Sequence, residues 1–291
     1  MVEQYPDKVW LIMALVHGQM KESGSATIIP VQPVGQLDGI PFLQGTENGL
    51  KAVATLLQYA AFQEARAGEP RRSDKPSPHA EQARKIVRAS GGVPLVEREA
   101  KALLALYGIT TVQEKLATTA DEAVGAAKAI GYPVVLKIES LDLPHKTEAG
   151  GVLLGVDGDE AVRDGFATIL ANAKRYKSDA AIGGVLVQEM VRGGRELIVG
   201  MTQDPQFGPA VAVGLGGVFV ETLKDVALGV PPLNRRDVDG MLSRLRGRAI
   251  LDGSGARGAG PADVEAVVET LLRFSQLCLD LRDEVAEIDI N

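Results

Sequence analysis

Short β-branched runs limit what this chain can fold into. PVVLKI (133–138), GVLLGV (151–156), GVLVQEM (184–190), ELIVGM (196–201), AVAVG (210–214) and VFVET (218–222) are each one strand long, and glycine-bearing turns part the later ones. Helical patterns lie between and around them. Val96, Ala100, Leu103, Leu104 and Tyr107 share one face and Gly108 stops the run; Thr119 to Glu122 is a capping-box signature for a helix ending at Gly131. Val162, Phe166, Ile169, Leu170 and Ala173 define another helix, and a long one is expected from about Pro261, burying Val264, Val267, Val268, Leu271, Leu272 and Ser275. A strand closes the chain from Glu284 to Asn291. Hairpin spacing in the second half argues for α+β lobes and against a uniform βαβ barrel.

The opening third differs. Val9–Val16 and the weaker Ala26–Val31 read as strands, and Glu47–Phe62 as a helix with Leu50, Ala54, Leu57 and Ala61 on one face. That is one crossover of an α/β sheet, too small to cover both faces of a parallel sheet alone. Residues 64–80 combine three prolines and seven charges with no large aliphatic side chain, the composition of a linker, so His79 is expected in solvent. The boundaries drawn are 1–63, a linker 64–91, and 92–291 with lobes at 92–186 and 187–291.

Several function classes drop out. The net charge is −7 and aromatics are 4% of the 291 residues, so nucleic acid is not an expected partner. The strongest apolar run, Val9–Val16, is far short of the roughly 20 residues of a membrane span, and no positive region precedes it. One cysteine, Cys278, cannot form an internal disulfide, and the cytoplasm is the expected compartment. A nucleotide stays admissible, because an acidic protein can gather local cations and backbone N–H groups around phosphate. Thirty-three glycines, above the usual share of roughly 7%, make such turns available.

Four places carry chemistry. On the last strand Glu287, Asp289 and Asn291 alternate with Ala286, Ile288 and Ile290, placing oxygen ligands on one face; the row suits a hard cation or a solvated edge. Lys137 interrupts an apolar strand and is followed by HKTEAGGV (145–152), an arrangement that suits polyphosphate or a plain hairpin turn. VQEMVRGGRE (187–196) is a connector able to pair with a purine edge, or a hairpin with a charged tip. GLGG (214–217) is a tight turn or a second close backbone approach.

In this order, PVVLKI, HKTEAGGV, VLVQEMVRGGRE, QFGPAVAVGLGGVFVETLKD, LDGSGARG and EIDIN resemble the ATP-grasp domain of the NDP-forming acyl-CoA synthetases. That family includes ADP-forming acetyl-CoA synthetase and, more distantly, succinyl-CoA synthetase. The resemblance spans about 92–291, and GIPFLQGTENGLKAVATLLQYA (39–60) resembles the end of the flavodoxin-like CoA-ligase domain that precedes it in fused members. The fold implied is α+β (α/β), a two-lobed ATP-grasp fold behind a partial flavodoxin-like segment.

The resemblance implies that Lys137 contacts ATP phosphates and that Gly150 and Gly151 close over them. It implies that Glu189 with Met190 and Val191 holds adenine, that Glu196 binds ribose, and that Asp289 and Asn291 bind Mg²⁺. Asp stands where the superfamily usually has Glu. His145 matches a histidine implicated in relaying phosphoryl to the nucleotide site. ATP or ADP and Mg²⁺ are the implied cofactors, and the implied partners are CoA-ligase domains of the same polypeptide or a partner subunit, with carboxylic acid and CoA as substrates; a homo-oligomer stays open. The family pattern continues past its Asn with a hairpin bearing another carboxylate, so an excised portion, inactive alone, is expected. The competing reading is a synthetase-like sensing or scaffold region of a protein lysine acetyltransferase.

Overall fold

The computed structural model describes residues 12–14, 42–44, 46–67, 74–143, 145–216, 225–253 and 260–290. The chain divides into two compact units, Met1–Arg71 and Arg72–Asn291. In the first, β1 (Ile12–Ala14) pairs in parallel with β2 (Phe42–Gln44), and α1 (Thr46–Arg66) follows. The crossover is as the sequence suggests, but its second strand is β2 and not Ala26–Val31, which falls outside the described residues. Leu50 and Leu57, expected on a buried face, are exposed on α1 together with Leu56, Tyr59 and Phe62.

Among its described residues the second unit holds two four-stranded antiparallel sheets. The first has the order β3 (Glu114–Ala117), β6 (Gly184–Glu189), β4 (Val134–Glu139), β5 (Val152–Val156). Helices α4 (Ala120–Ile130) and α5 (Asp159–Tyr176) cover one of its faces. Strand alternation puts Val134, Leu136 and Ile138 into that core beside Val185, Val187, Phe166 and Ile169. Val135, Lys137 and Glu139 therefore share the opposite face. Thr119 caps α4 by accepting from the Glu122 N–H at 3.2 Å, while the Glu122 carboxylate accepts from the Thr118 N–H and hydroxyl, both at 2.7 Å.

The second sheet has the order β10 (Glu287–Ile290), β7 (Leu197–Asp204), β8 (Gly208–Leu215), β9 (Val226–Gly229). Its core gathers Met201, Val211 and Val213 with Met241 and Leu242 of α6 (Arg235–Arg244), Leu251 of α7 (Arg248–Leu251), and Leu271, Phe274 and Leu277 of α8 (Val264–Asp280). The long C-terminal helix starts after Pro261 because Asp263 accepts from the Ala266 N–H at 3.0 Å and caps it. Residues 217–224, with the expected strand 218–222, lie outside the described residues.

Two helices depart from the expected partition. Within the stretch assigned to a linker, 64–91, α2 (Ala80–Ala89) is ordered against the second core through fully buried Ala83, and Arg88 pairs with Glu284. Helix α3 (Glu97–Leu106), assigned to the first lobe, buries Leu103, Leu104 and the adjoining Tyr107 in the second lobe's core. Asp280, itself buried, fixes both: it accepts from the Ser77 N–H at 3.1 Å and the Tyr107 hydroxyl at 2.8 Å, and its carbonyl accepts from Arg84 at 3.1 Å. His79 is exposed as expected, with its ring edge-on to Tyr107. No helix among the described residues is long and apolar enough to cross a membrane.

Candidate nucleotide site

Lys137 projects from the face of the first sheet that α4 and α5 leave free. The β4–β5 connection turns back over it: Ala149 N–H donates to His145 carbonyl oxygen at 3.2 Å, Gly150 N–H to that of Thr147 at 3.0 Å and Gly151 N–H to that of Lys146 at 2.8 Å. The glycine pair is demanded by geometry. Gly150 has φ +63°, and a Cβ at Gly151 would stand 2.5 Å from the Ile138 side chain. The end of the loop therefore packs on the Ile138 side of β4, where Ala149 is buried and Asn172 of α5 donates to the Gly150 carbonyl at 3.0 Å, while Lys146 reaches Glu97 on the Lys137 side.

The resulting cleft is about 450 Å³ and is lined by Glu97, Lys137, His145, Lys146, Thr147, Glu148 and Val152. Two expected residues, Lys137 and His145, thus meet in one cavity. Gly150 and Gly151 shape its wall without lining it. His145 is exposed, and Lys137 and Lys146 are 29% and 21% exposed at their side chains.

Glu97 and Lys101 carry no signal in the sequence, yet with Lys146, the cation beside His145, they organise the charge. Glu97 Oε1 accepts from Lys101 at 2.8 Å, Lys137 at 3.1 Å and Gln188 at 2.8 Å, and its Oε2 accepts from Lys146 at 2.9 Å. Lys101 and Gln188 also reach Glu114, at 2.6 and 2.7 Å. Burial opposes Glu97 ionisation, but hydrogen bonds from Lys101, Lys146 and Gln188 and the charge of Lys137 outweigh it and hold the carboxyl well below its usual range. Three ammonium groups against two carboxylates leave the cluster positive, which suits phosphate.

The remaining expected residues lie elsewhere along the strands. Glu189 ends β6; its N–H donates to the Gln113 carbonyl at 2.8 Å and its carboxylate accepts from the Gln113 N–H at 3.3 Å. Met190 reaches towards β5, within 3.9 Å of where a Gly155 Cβ would sit, and Val191 is exposed. Gly193 and Gly194, at φ +70° and +90°, turn the chain to the exposed Glu196, whose carbonyl accepts from the Gly216 N–H at 2.7 Å. Gly216 must be glycine here, since its Cβ would stand 2.8 Å from that of Glu196.

On β10, Glu287 and Asp289 are exposed, while Ile288 and Ile290 pack against the core. Asp289 lies opposite Gly200, and Asn291 falls outside the described residues. No three His, Cys, Asp or Glu side chains among the described residues come together as a metal cluster. Carboxylate oxygens from one strand, with substrate phosphates completing the shell, are the donor set that Mg²⁺ takes.

Comparison with known proteins agrees with this architecture. Residues 86–291 match the ATP-grasp domain family. The chain is 48% identical over 198 residues to the β subunit of acetate–CoA ligase (ADP-forming) I of Pyrococcus furiosus, covering 68% of this chain and 84% of that one. A structure of Ca. Korarchaeum cryptofilum acetyl-coenzyme A synthetase 1 with coenzyme A and Ca-AMPCP superposes with a TM-score of 0.69 at 40% identity, over 73% of this chain and 91% of that one. Another of the same enzyme holds coenzyme A and Mg-AMPPCP with a phosphohistidine segment pointing towards the nucleotide site; its TM-score is 0.60 at 36% identity, over 73% of this chain and 91% of that one. With the domain, the ligase relatives and the fold in agreement, the chain belongs to the ATP-grasp family as the ATP-grasp portion of an ADP-forming acyl-CoA synthetase.

Proposed function

We propose that this chain binds Mg-ATP or Mg-ADP and exchanges a phosphoryl group through His145 with a CoA-ligase half, which makes acyl-CoA from a carboxylic acid and CoA. The convergence of Lys137, Lys146 and His145 on one cleft carries this reading. Lys137 and Lys146 would take the phosphates, with Gly150 and Gly151 keeping the loop close. Glu189 and the backbone of Met190 and Val191 would hold adenine, and Glu196 the ribose hydroxyls. Asp289 and Asn291 would hold Mg²⁺, which when bound neutralises phosphate charge.

In the direction of ATP use, a ring nitrogen of His145 attacks the γ-phosphorus. The P–N bond forms as the P–O bond to the β-phosphate breaks, ADP leaves with that oxygen, and the lysines stabilise the charge on the transferring group. The reverse step makes ATP from phosphohistidine and ADP. The other half of the enzyme would be a partner subunit or domain, as the β-subunit relative suggests.

Incubation with Mg-[γ-³²P]ATP tests the relay. Acid-labile, base-stable label is expected on the wild type assembled with its CoA-ligase half and not on His145→Asn in the same assembly. Equal labelling of both would remove His145 from the pathway.

A further inference from the structure

We infer that Glu97 is a positioning residue, an internal counter-anion that fixes Lys137, Lys146 and the His145 loop in the geometry that receives phosphate. The inference rests on the nucleotide reading of the cleft and adds a residue that the reading does not contain. Glu97 is the first residue of α3, a helix anchored by Leu103 and Leu104 in the second lobe's core. Its carboxylate nevertheless gathers groups from three parts of the first lobe: Lys137 from β4, Gln188 from β6 and Lys146 from the β4–β5 loop. One side chain thus ties the phosphate-facing strand and the histidine loop to the opposite lobe.

The arrangement is more than a stabilising ion pair. A pair made for stability needs one partner, whereas the Glu97 carboxylate holds three ammonium groups, of which, among the described residues, only Lys101 has a second carboxylate, Glu114. Lys137 and Lys146 line the cleft together with Glu97, so the carboxylate holds both ammonium groups at the space where phosphate would bind. Lysine carries its charge on a flexible four-carbon stem and has no fixed fork of its own, so its aim depends on what holds it. Gln188, only 3% exposed, donates to both Glu97 and Glu114 and locks the carboxylate in turn. Without the charge on Glu97, the lysines would repel one another and Lys146 would release the loop from α3.

The test compares wild type, Glu97→Gln, Glu97→Asp and the control Glu284→Gln, which removes an exposed pairing with Arg88 far from the cleft in sequence. Two readouts are taken on the 291-residue chain: Mg-ATP affinity by calorimetry and hydrogen exchange of residues 145–151 without ligand. Glu97→Gln is expected to weaken Mg-ATP at least 10-fold and to speed exchange in 145–151 while leaving α8 unchanged. Glu97→Asp should recover part of both, and the control should match wild type. Unchanged or tighter Mg-ATP binding by Glu97→Gln, or unchanged loop exchange, would overturn the inference. If wild type itself does not bind Mg-ATP, the nucleotide reading falls and loop exchange alone decides whether Glu97 positions the loop. If Glu97→Gln does not fold, Glu97→Asp carries the test: wild-type behaviour in both readouts overturns the inference, and a several-fold loss with a looser loop supports it.

Discussion

Placing a single methyl group at Gly151 should unseat the loop that carries His145 and Lys146. A Cβ there would stand 2.5 Å from Ile138 Cγ2 and 3.0 Å from the Lys146 carbonyl oxygen, whereas carbon atoms pack at about 3.5–4.0 Å. Ile138 is fully buried in the first core and cannot swing away, so the loop has to lift. Overpacking by one methyl costs about 1–3 kcal/mol. Loss of the 2.8 Å bond from Ile138 N–H to Gly151 carbonyl oxygen adds about 1 kcal/mol. For a unit of this size each kcal/mol lowers Tm by roughly 2–4 °C, so Gly151→Ala should melt at least about 4 °C below wild type by calorimetry. Gly125→Ala is the matched control: it lies exposed within α4 with nothing within 4 Å of its Cβ, and alanine should stabilise the helix by about 0.5–1 kcal/mol. A Gly151→Ala protein melting within about 1 °C of wild type would refute the steric reasoning, as would equal losses in both variants.

Two further outcomes follow from named contacts. Because Glu97 is held below its unfolded value near 4.5, its ionic stabilisation is fully present above that pH and is lost as pH falls towards the folded value. The gap in urea midpoint between wild type and Glu97→Gln should therefore be constant from pH 8 to 6 and shrink below about 4.5; a gap as large at pH 3.5 as at pH 7 would contradict the pairing. Asp280→Ala should cost about 1–3 kcal/mol by leaving the buried Tyr107 hydroxyl and Ser77 without their acceptor. Burial, and then the Asp280 hydrogen bond, push the Tyr107 phenol up, so ultraviolet titration should find it ionising at lower pH in the variant.

Much of the fold is legible in local pattern. The β4, β6, β7 and β8 runs are β-branched and bounded by turns, and the Thr119 cap marks the start of α4. Helix α2 was hidden because its sequence is charged and only small Ala80 and Ala83 are buried, so composition read as linker. Helix α6 had a readable signal in its Asn234 and Asp237 capping box, at 3.0 and 2.9 Å, but its polar sequence lacks a wide apolar face. The lobe boundary failed for a different reason. Which sheet α3 packs on is decided by partners far away in sequence, and its own periodicity shows only that one face is buried.

The site divides the same way. Lys137 was visible because a lysine amid valine, leucine and isoleucine needs a reason, and HKTEAGGV because paired glycines follow charge. Glu97 was not, since an acid in the first turn of a helix is ordinary there and Lys137 lies 40 residues away. Gln188, a polar residue among the five buried positions of β6, points to the polar face.

Calorimetric titration of ATP into this chain with and without Mg²⁺, alongside Lys137→Met, tests the central claim most directly. Saturable, Mg²⁺-dependent binding by the wild type and a loss of at least about 10-fold in Lys137→Met are expected, since a charge-assisted phosphate contact is worth about 1.5–3 kcal/mol. No binding by wild type, or equal binding by the two, would contradict a nucleotide site at this cleft.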